Sequence, residues 1–138
     1  MAEQMEHVEL TDAQWRERLD DDRYQVLRRA ATEPAFTGSL LNEHRDGTFV
    51  CGGCGQVLFE SGTKFDSGSG WPSFDRAIPG TVLEREDRSL FMRRTEIVCA
   101  RCGGHLGHVF DDGPTDTGKR FCVNSLALDF DAAEDPAT

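Results

Sequence analysis

The sequence predicts a mainly antiparallel β domain that carries a pair of short helices at its N-terminal end. Two observations predict it. Helix-capping signals and helical spacing of apolar residues are confined to residues 10–33, whereas glycines accumulate after Phe36 and short β-prone runs alternate with turn sequences. A chain of 138 residues, 38% of them hydrophobic, is long enough for one domain with its own core, and we expect one.

The two helices are predicted from their start and stop signals. A capping-box pattern, T-x-x-Q, begins at Thr11 and predicts a first helix to about Leu19, with Trp15 in the core. Three consecutive aspartates at residues 20–22 favour the start of a second helix, because carboxylates suit a helix N-terminus. Pro34 ends that helix at or before the preceding residue.

The β region contains six candidate strands between turn signals, at residues 48–51, 56–59, 81–84, 90–98, 108–110 and 121–129. Each C-x-x-C pair follows one of these strands closely, as in zinc ribbons. We expect a flexible N-terminus over residues 1–9, a single domain over residues 10–129 and an acidic flexible tail over residues 130–138.

The charge balance excludes some classes of partner. The formal net charge is -10, which disfavours nucleic acid and anionic membrane surfaces, because both bind through clustered Lys and Arg. The N-terminus lacks the basic and apolar regions of a secretory signal, and no apolar run is long enough to span a bilayer. We therefore expect a cytoplasmic location, where thiols stay reduced.

Four of the five cysteines form two C-x-x-C pairs, Cys51 with Cys54 and Cys99 with Cys102. Two such pairs have the spacing of a four-thiolate zinc site, and four thiolates leave no open position for water. The pattern therefore predicts one structural Zn²⁺ per chain. A redox-active dithiol in either pair and a nucleic-acid-binding zinc ribbon are the alternatives, and the acidic charge argues against the second.

The fifth cysteine, Cys122, is left outside these pairs. A free cysteine is most often an inert, buried, small apolar residue. Here Lys119 and Arg120 lie just upstream, and nearby cations favour the reactive thiolate. In an extended strand Arg120, Cys122 and Asn124 project to the same face, so an amide also lies next to the sulfur. Cys122 is therefore a candidate nucleophile.

Two further segments carry groups that suit chemistry at a nucleophilic sulfur. His105 and His108 supply imidazoles, which donate protons near neutral pH. Their alternative roles are as a zinc ligand or as ordinary core or surface histidines. Trp71 follows a run of small residues, which suits a shallow apolar pocket better than the alternative, a buried core position.

Taken together, these segments resemble the B-type methionine sulfoxide reductases, the family specific for the R sulfoxide. The resemblance runs from about Leu10 to Leu128 and rests on both C-x-x-C pairs and on four longer motifs: Phe36-Thr37-Gly38, Gly70-Trp71-Pro72-Ser73-Phe74, the segment from Gly104 to Phe110, and Arg120-Phe121-Cys122-Val123-Asn124-Ser125. It implies a β fold of two antiparallel sheets, of the tent or barrel type, and a structural zinc.

The resemblance also implies a chemical role for each matching residue. Cys122 matches the nucleophile, whose thiolate attacks the sulfoxide sulfur, releases methionine and becomes a sulfenic acid. His105, His108 and Asn124 match the residues that bind or protonate the sulfoxide oxygen. Arg120 matches a residue that helps to stabilise the thiolate.

Two more positions concern the substrate pocket, and a third departs from the family pattern. Trp71 matches the residue on which the substrate methyl group packs, and Phe110 completes the apolar wall of that pocket. Many members carry a second cysteine just before the Gly-Trp pair, which resolves the sulfenic acid as a disulfide, and here that position is Ser69. We therefore expect a one-cysteine enzyme.

The expected partners follow from the same resemblance. The substrate is methionine-R-sulfoxide, in proteins or free, and the reductant is thioredoxin or a small thiol. We expect a monomer, because no apolar stripe is left over in the sequence. Two alternatives of other classes are a non-catalytic zinc-ribbon binding module and a thiol oxidoreductase that uses a C-x-x-C pair as its redox centre.

Overall fold

The computed structural model describes residues 7–88 and 93–133. Two helices come first, α1 (Asp12–Arg18) and α2 (Asp21–Arg29). The described residues then form nine strands: β1 (Gly47–Cys51), β2 (Val57–Glu60), β3 (Lys64–Phe65), β4 (Ser73–Phe74), β5 (Val82–Asp87), β6 (Arg94–Cys99), β7 (His105–Phe110), β8 (Arg120–Val123) and β9 (Leu128–Ala132). Short 3₁₀ turns occupy Ser61–Thr63 and Ser125–Ala127.

Both predicted helices are present and begin at the predicted caps. The Thr11 side chain accepts from the backbone N–H of Gln14, and the Gln14 side chain accepts from the Thr11 N–H at 2.9 Å, so the capping box is complete. Asp20 caps α2 by accepting from the Arg23 N–H. This helix ends several residues before Pro34, because Ala30 adopts a left-handed conformation with φ 57°.

The strands form two antiparallel sheets, which confirms the predicted fold class. The first has the order β2-β1-β9, and the second has the order β3-β4-β8-β7-β6-β5. Strand β8 lies inside the larger sheet, between β4 and β7, and every pairing is antiparallel. The centre of this sheet is therefore where the predicted nucleophile is held.

The predicted strand at 121–129 is wrong, because the structure divides it into two strands in different sheets. β8 ends at Val123, the 3₁₀ turn at Ser125–Ala127 redirects the chain, and β9 then pairs with β1. Hydrogen bonds at Asn124 explain the break: its carbonyl accepts from the Ala127 N–H within the turn, and its side chain bonds to Glu33 and Leu106, which are distant in the sequence.

Other strand boundaries differ from the prediction by a few residues. Strand β7 begins at His105, three residues before the predicted start, and β6 begins at Arg94, with residues 90–92 of its predicted run lying outside the described residues. Strand β9 runs to Ala132, into the segment predicted as a tail. Sequence patterns also missed β3 and β4, which are two residues each.

The core between the two sheets is built from phenylalanines. Phe59 stacks on Phe74 with ring centroids 4.2 Å apart, and Phe49 meets Phe74 edge-on at 5.0 Å. Phe121 extends this cluster toward β8, with its ring centroid 6.0 Å from that of Phe59. The side of β8 that carries Phe121 therefore faces the core, which leaves the alternate residues of the strand for the opposite face.

None of the described helices has the length and apolar character needed to cross a membrane.

Candidate active site

The four paired cysteines lie together at one end of the sheets. Their sulfur atoms are all within 4.8 Å of one another, with Cys51 and Cys102 3.7 Å apart and Cys54 and Cys99 3.6 Å apart. A tetrahedron with zinc–sulfur bonds of about 2.3 Å has edges of about 3.8 Å. The donor set therefore fits a tetrahedral zinc ion, and four soft thiolates are the ligands that such an ion prefers.

The surrounding backbone supports this arrangement. The Gly53 N–H donates to the Cys51 sulfur at 3.3 Å. Trp15 and Leu27 lie against Gly53, so the two N-terminal helices cover the cysteine cluster. Arg28 also donates to the carbonyl of Cys102 at 2.9 Å. A metal ion here would join the helices to both sheets, which is a structural role.

Cys122 lies away from this cluster, in the middle of the six-stranded sheet. Its backbone is paired with Ser73 of β4 on one side and with His108 of β7 on the other. It is half-buried and lines a cleft of about 260 Å³. Gly107 allows β7 to approach closely, since a Cβ atom there would lie 2.0 Å from the Cys122 carbonyl oxygen.

Burial raises the pKa of the Cys122 thiol above its ordinary value, and the charge of Glu33 acts in the same direction. A hydrogen bond from Ser69 and the charge of Arg120 lower the pKa, but burial outweighs them. Lys119 pairs with Asp111 at 2.8 Å and is not among the causes of the shift. The expected activation of the thiol by Arg120 is therefore a smaller effect than the cost of burial.

Arg120 is held in place by two neighbours. Its guanidinium donates to both carboxylate oxygens of Asp112, at 2.9 and 3.2 Å, and lies over the ring of Phe110 at 4.4 Å. Arg120 and Phe110 are paired across β7 and β8, and both line the same cleft as Cys122. The predicted wall residue and the predicted cation therefore share one rim of the cleft.

His108 also lines the cleft and lies directly across the strand pairing from Cys122. Its Nε2 atom is 2.9 Å from a carboxylate oxygen of Asp87, which also accepts from Arg94 at 3.2 Å. A carboxylate in this position orients the imidazole. His108 is therefore in position for proton transfer at the cleft.

His105, which the resemblance matches with residues that bind or protonate the sulfoxide oxygen, is buried beside His108. It is 5% exposed, its ring lies 5.6 Å from that of His108, and it is not among the residues that line the cleft. Its Nδ1 atom is 2.6 Å from a carboxylate oxygen of Glu96, and its buried Nε2 has no hydrogen-bond partner among the described residues. Burial lowers the pKa of His105, although the Glu96 carboxylate acts against that shift.

Asn124 contributes to the cleft wall, but its amide is already hydrogen-bonded. The side chain is 3% exposed, its Oδ1 accepts from the Glu33 N–H at 3.0 Å, and its Nδ2 donates to the Leu106 carbonyl at 3.0 Å. Only one N–H of the amide is left for a substrate. Asn124 therefore ties the segment before Pro34 to the sheet, beside Cys122.

Trp71 forms another wall of the cleft and is half-buried, so it is not a core tryptophan. Its indole N–H donates to the Glu33 carbonyl at 2.9 Å, which orients the ring. Glu33 thus holds Trp71 through its carbonyl and Asn124 through its N–H. The combination of an apolar wall, an imidazole and a thiol around one small cleft suits attack on a group the size of a thioether.

Ser69 occupies the position beside the nucleophile where the resemblance places a second cysteine in many members. Its hydroxyl oxygen is 4.0 Å from the Cys122 sulfur and 2.8 Å from the hydroxyl of Ser67. Ser67 in turn lies 2.8 Å from the hydroxyl of Ser73. The serine therefore interacts with the thiol through a hydrogen bond and cannot form a disulfide with it.

Sequence patterns did not single out Glu33, Asp87 or Glu96 as parts of the site. Asp87 and Glu96 reach the histidines only through the pairing of β5, β6 and β7, and Glu33 acts largely through its backbone. Glu96 could have been found from the start of β6, where Arg94-Thr95-Glu96 places two charged residues within a strand.

Comparison with known proteins agrees with this geometry. The SelR domain family matches residues 19–132. A Leptospira interrogans protein named peptide methionine sulfoxide reductase MsrB is 52% identical over 124 residues, covering 89% of this chain and 95% of its own. A Bradyrhizobium diazoefficiens protein of the same name is 56% identical over 119 residues, covering 86% of each.

Among solved structures, the Mis18 "Yippee-like" domain is similar in fold, with a TM-score of 0.54 at 19% sequence identity, covering 66% of this chain and 100% of its own. At that identity the likeness concerns the fold alone. The match to the family over most of the chain and the relatives at about half identity carry the assignment. The chain belongs to the SelR domain family, whose similar members from these two bacteria are named peptide methionine sulfoxide reductase MsrB.

Proposed function

We propose that this protein reduces methionine-R-sulfoxide to methionine, with Cys122 as the nucleophile. The observation that carries the proposal is the single cleft in which the Cys122 thiol, the His108 imidazole and the Trp71 ring meet. Relatives that cover most of the chain are named peptide methionine sulfoxide reductase, which supports the same reaction class. The R stereochemistry follows from the family that the motifs resemble.

In the first step the Cys122 sulfur attacks the sulfoxide sulfur. This attack forms a transient bond between the two sulfur atoms. That bond and the substrate S–O bond then break as the oxygen bonds to the Cys122 sulfur, so the substrate leaves as methionine and Cys122 becomes a sulfenic acid. The thiol loses one proton and the transferred oxygen gains one, so the step consumes no net proton. His108 is the imidazole in position to move that proton, because it faces Cys122 across the strand pairing.

The neighbouring residues have supporting roles. Trp71 packs against the methyl group of the substrate, and Phe110 with Arg120 closes the opposite rim. Arg120 lowers the pKa of the thiol against the effect of burial. Asn124 lines the cleft and keeps one N–H for the sulfoxide oxygen, whereas His105 acts from behind the cleft, where it packs against His108.

In the second step external thiols reduce the sulfenic acid. Two thiols are needed: their sulfurs become a disulfide, Cys122 returns to the thiol, and the oxygen leaves as water. Ser69 cannot serve as the second sulfur, and the other four cysteines are committed to each other. Thioredoxin or a small thiol is the proposed reductant.

Zinc has no part in these steps in our proposal. The four-cysteine cluster would hold one structural Zn²⁺, bound by Cys51, Cys54, Cys99 and Cys102. The monomeric state, the cytoplasmic location and the domain boundaries at residues 10 and 129 stay predictions.

A turnover assay on separated R and S diastereomers of methionine sulfoxide, with dithiothreitol as reductant, tests the proposal. Consumption of the R diastereomer alone is the expected result. Consumption of neither, in protein that carries one zinc per chain, would favour a non-catalytic zinc-ribbon module. Loss of zinc during turnover would instead favour a redox role for one of the C-x-x-C pairs.

A further inference from the structure

One conspicuous residue near the cleft has no role in the proposed chemistry. Phe36, the first residue of the Phe36-Thr37-Gly38 motif, is 69% exposed. Its φ is 67°, a left-handed conformation that costs a bulky residue energy. A large apolar side chain that is exposed to water on a left-handed backbone stabilises the fold little, which indicates a role in binding.

The backbone around Phe36 is held firmly. Its N–H donates to the Gly70 carbonyl at 2.7 Å, and the next residue, Thr37, bonds through its hydroxyl to the Pro34 carbonyl at 2.6 Å. Gly70 has a φ of 93°, and a Cβ atom there would lie 2.9 Å from ring carbons of Phe36. One edge of the ring, with Cδ2 and Cε2, therefore lies against Gly70, immediately before Trp71, and most of the side chain is exposed.

Phe36 lines a second cleft, of about 290 Å³, together with Leu41, Phe65 and Trp71. Trp71 is the wall that this cleft shares with the catalytic cleft. A group bound in the second cleft would therefore lie next to whatever occupies the first.

The charged side chains at the second cleft are engaged within the protein. The Lys64 ammonium donates to the Leu41 carbonyl at 2.7 Å, and burial lowers its pKa. Asp66 accepts from the Gly68 N–H at 3.1 Å. Asn42, His44 and Ser67 also line the cleft, so its surface is mixed. The rings of Phe36, Phe65 and Trp71 are the part of that surface that favours an apolar group.

The size of the catalytic cleft limits what it can hold. At about 260 Å³ it suits a single side chain, so a polypeptide substrate must continue over the surrounding surface. We propose that the Phe36 cleft is a subsite for an apolar side chain close in sequence to the oxidised methionine of a protein substrate. This inference rests on the proposed function and concerns how a polypeptide substrate lies beside the catalytic cleft.

The experiment compares substrates of two sizes. The small one is the R sulfoxide of N-acetylmethionine methylamide, and the large ones are capped hexapeptides with one methionine-R-sulfoxide and either Leu or Ser at each of two positions on both sides. In the wild type, Leu at one or more of these positions raises kcat/KM about fivefold over Ser, the effect of partly burying one aliphatic side chain.

Three variants locate the preference. Phe36→Gly and Phe36→Asn both tolerate the left-handed backbone, so they remove the ring without adding strain. Each is expected to lower the ratio of peptide to small-substrate kcat/KM about fivefold and to abolish the Leu preference. Ala30→Gly changes a second left-handed non-glycine position found within residues 7–88 and 93–133, at the end of α2, and is the control that keeps the Leu preference.

The outcomes separate this inference from the proposed function. Equal rates for Leu and Ser peptides in the wild type would overturn the subsite, as would a Leu preference that survives in Phe36→Gly. Failure of the wild type to reduce any of these sulfoxides would overturn the proposed function instead. Thermal melting of each variant verifies that rates are compared between folded proteins.

Discussion

The hydroxyl oxygen of Ser69 lies 4.0 Å from the sulfur of Cys122. A disulfide needs two sulfur atoms about 2.05 Å apart, so a sulfur in place of that oxygen would have to move about 2 Å closer to Cys122. The residue beside the nucleophile therefore lies near enough to interact with it, but its hydroxyl cannot form a disulfide. This relationship determines how the proposed enzyme is recycled.

Substitution of Ser69 by cysteine is expected to restore an internal disulfide. After one turnover without reductant, Ser69→Cys protein would carry a disulfide between Cys122 and the introduced thiol in most molecules, measured by mass spectrometry of non-reduced peptides. The double variant with Cys122→Ser is the control and should form none. Persistence of the sulfenic acid in Ser69→Cys would show that the two side chains do not approach as the structure indicates.

The second prediction concerns the pKa of Cys122. Burial raises it and Arg120 lowers it, so Arg120→Met is expected to raise it further. Alkylation of Cys122 by iodoacetamide, followed by mass spectrometry, should have its midpoint above the ordinary thiol pKa in the wild type and at a still higher pH in Arg120→Met. Lys119→Met is the matched control, because Lys119 pairs with Asp111, and should leave the midpoint unchanged. A downward shift in Arg120→Met would contradict the assignment.

The two histidines are expected to respond differently to substitution. His108→Asn removes the imidazole that lines the cleft and should lower kcat about 10²- to 10⁴-fold, the usual contribution of a general acid or base. His105→Asn breaks a buried contact with Glu96 and should cost more stability and less activity. Steady-state kinetics and thermal melting of both variants test this, and an equal loss of kcat would place both imidazoles at the substrate.

The pH dependence of stability provides a further test of His105. Burial lowers its pKa in the folded state, so the unfolded chain binds the extra proton more readily. This residue therefore destabilises the fold as pH falls toward and below the ordinary histidine pKa, about 6.5, and leaves it unaffected above. Denaturant unfolding gives the free energy of unfolding at pH 5.5 and at pH 8. The difference between these two free energies should be smaller in His105→Asn than in the wild type. An unchanged difference would contradict the lowered pKa of His105.

The metal prediction separates structure from catalysis. Cys51→Ser removes one of four ligands beneath the N-terminal helices and should lower the zinc content and reduce the free energy of unfolding by several kcal/mol. Metal analysis and denaturant unfolding measure both effects, with Cys122→Ser as the control that retains zinc and melts like the wild type. Full zinc occupancy and wild-type stability in Cys51→Ser would show that the cluster is not the metal site.

The parts of this molecule that were predictable from sequence are those with local signals. The capping box at Thr11, the strands that lead into the C-x-x-C pairs, and the alternation that separates Cys122 from the core-facing Phe121 all follow from spacing along the chain. The spacing of the cysteines alone predicted the four-cysteine cluster, because a zinc site fixes the spacing of the two ligands within each C-x-x-C pair.

What was missed depends on contacts between distant segments. The break after β8 arises because the Asn124 side chain bonds to Glu33, 91 residues away in the chain. The partners of the histidines, Asp87 and Glu96, reach them only once three strands are paired in register. The direction of the pKa shift of Cys122 could not be predicted from the sequence either. Burial of the thiol depends on the whole sheet, and its effect on the pKa outweighs that of the neighbouring Arg120.

The central claim is that Cys122 alone carries the reaction and is not resolved internally. Its most direct test is one turnover of zinc-loaded protein with methionine-R-sulfoxide and no reductant, followed by trapping with dimedone and mass spectrometry. We predict one methionine released per chain and a dimedone adduct on Cys122. Release of methionine accompanied by an intramolecular disulfide at Cys122, or no release at all, would contradict the account.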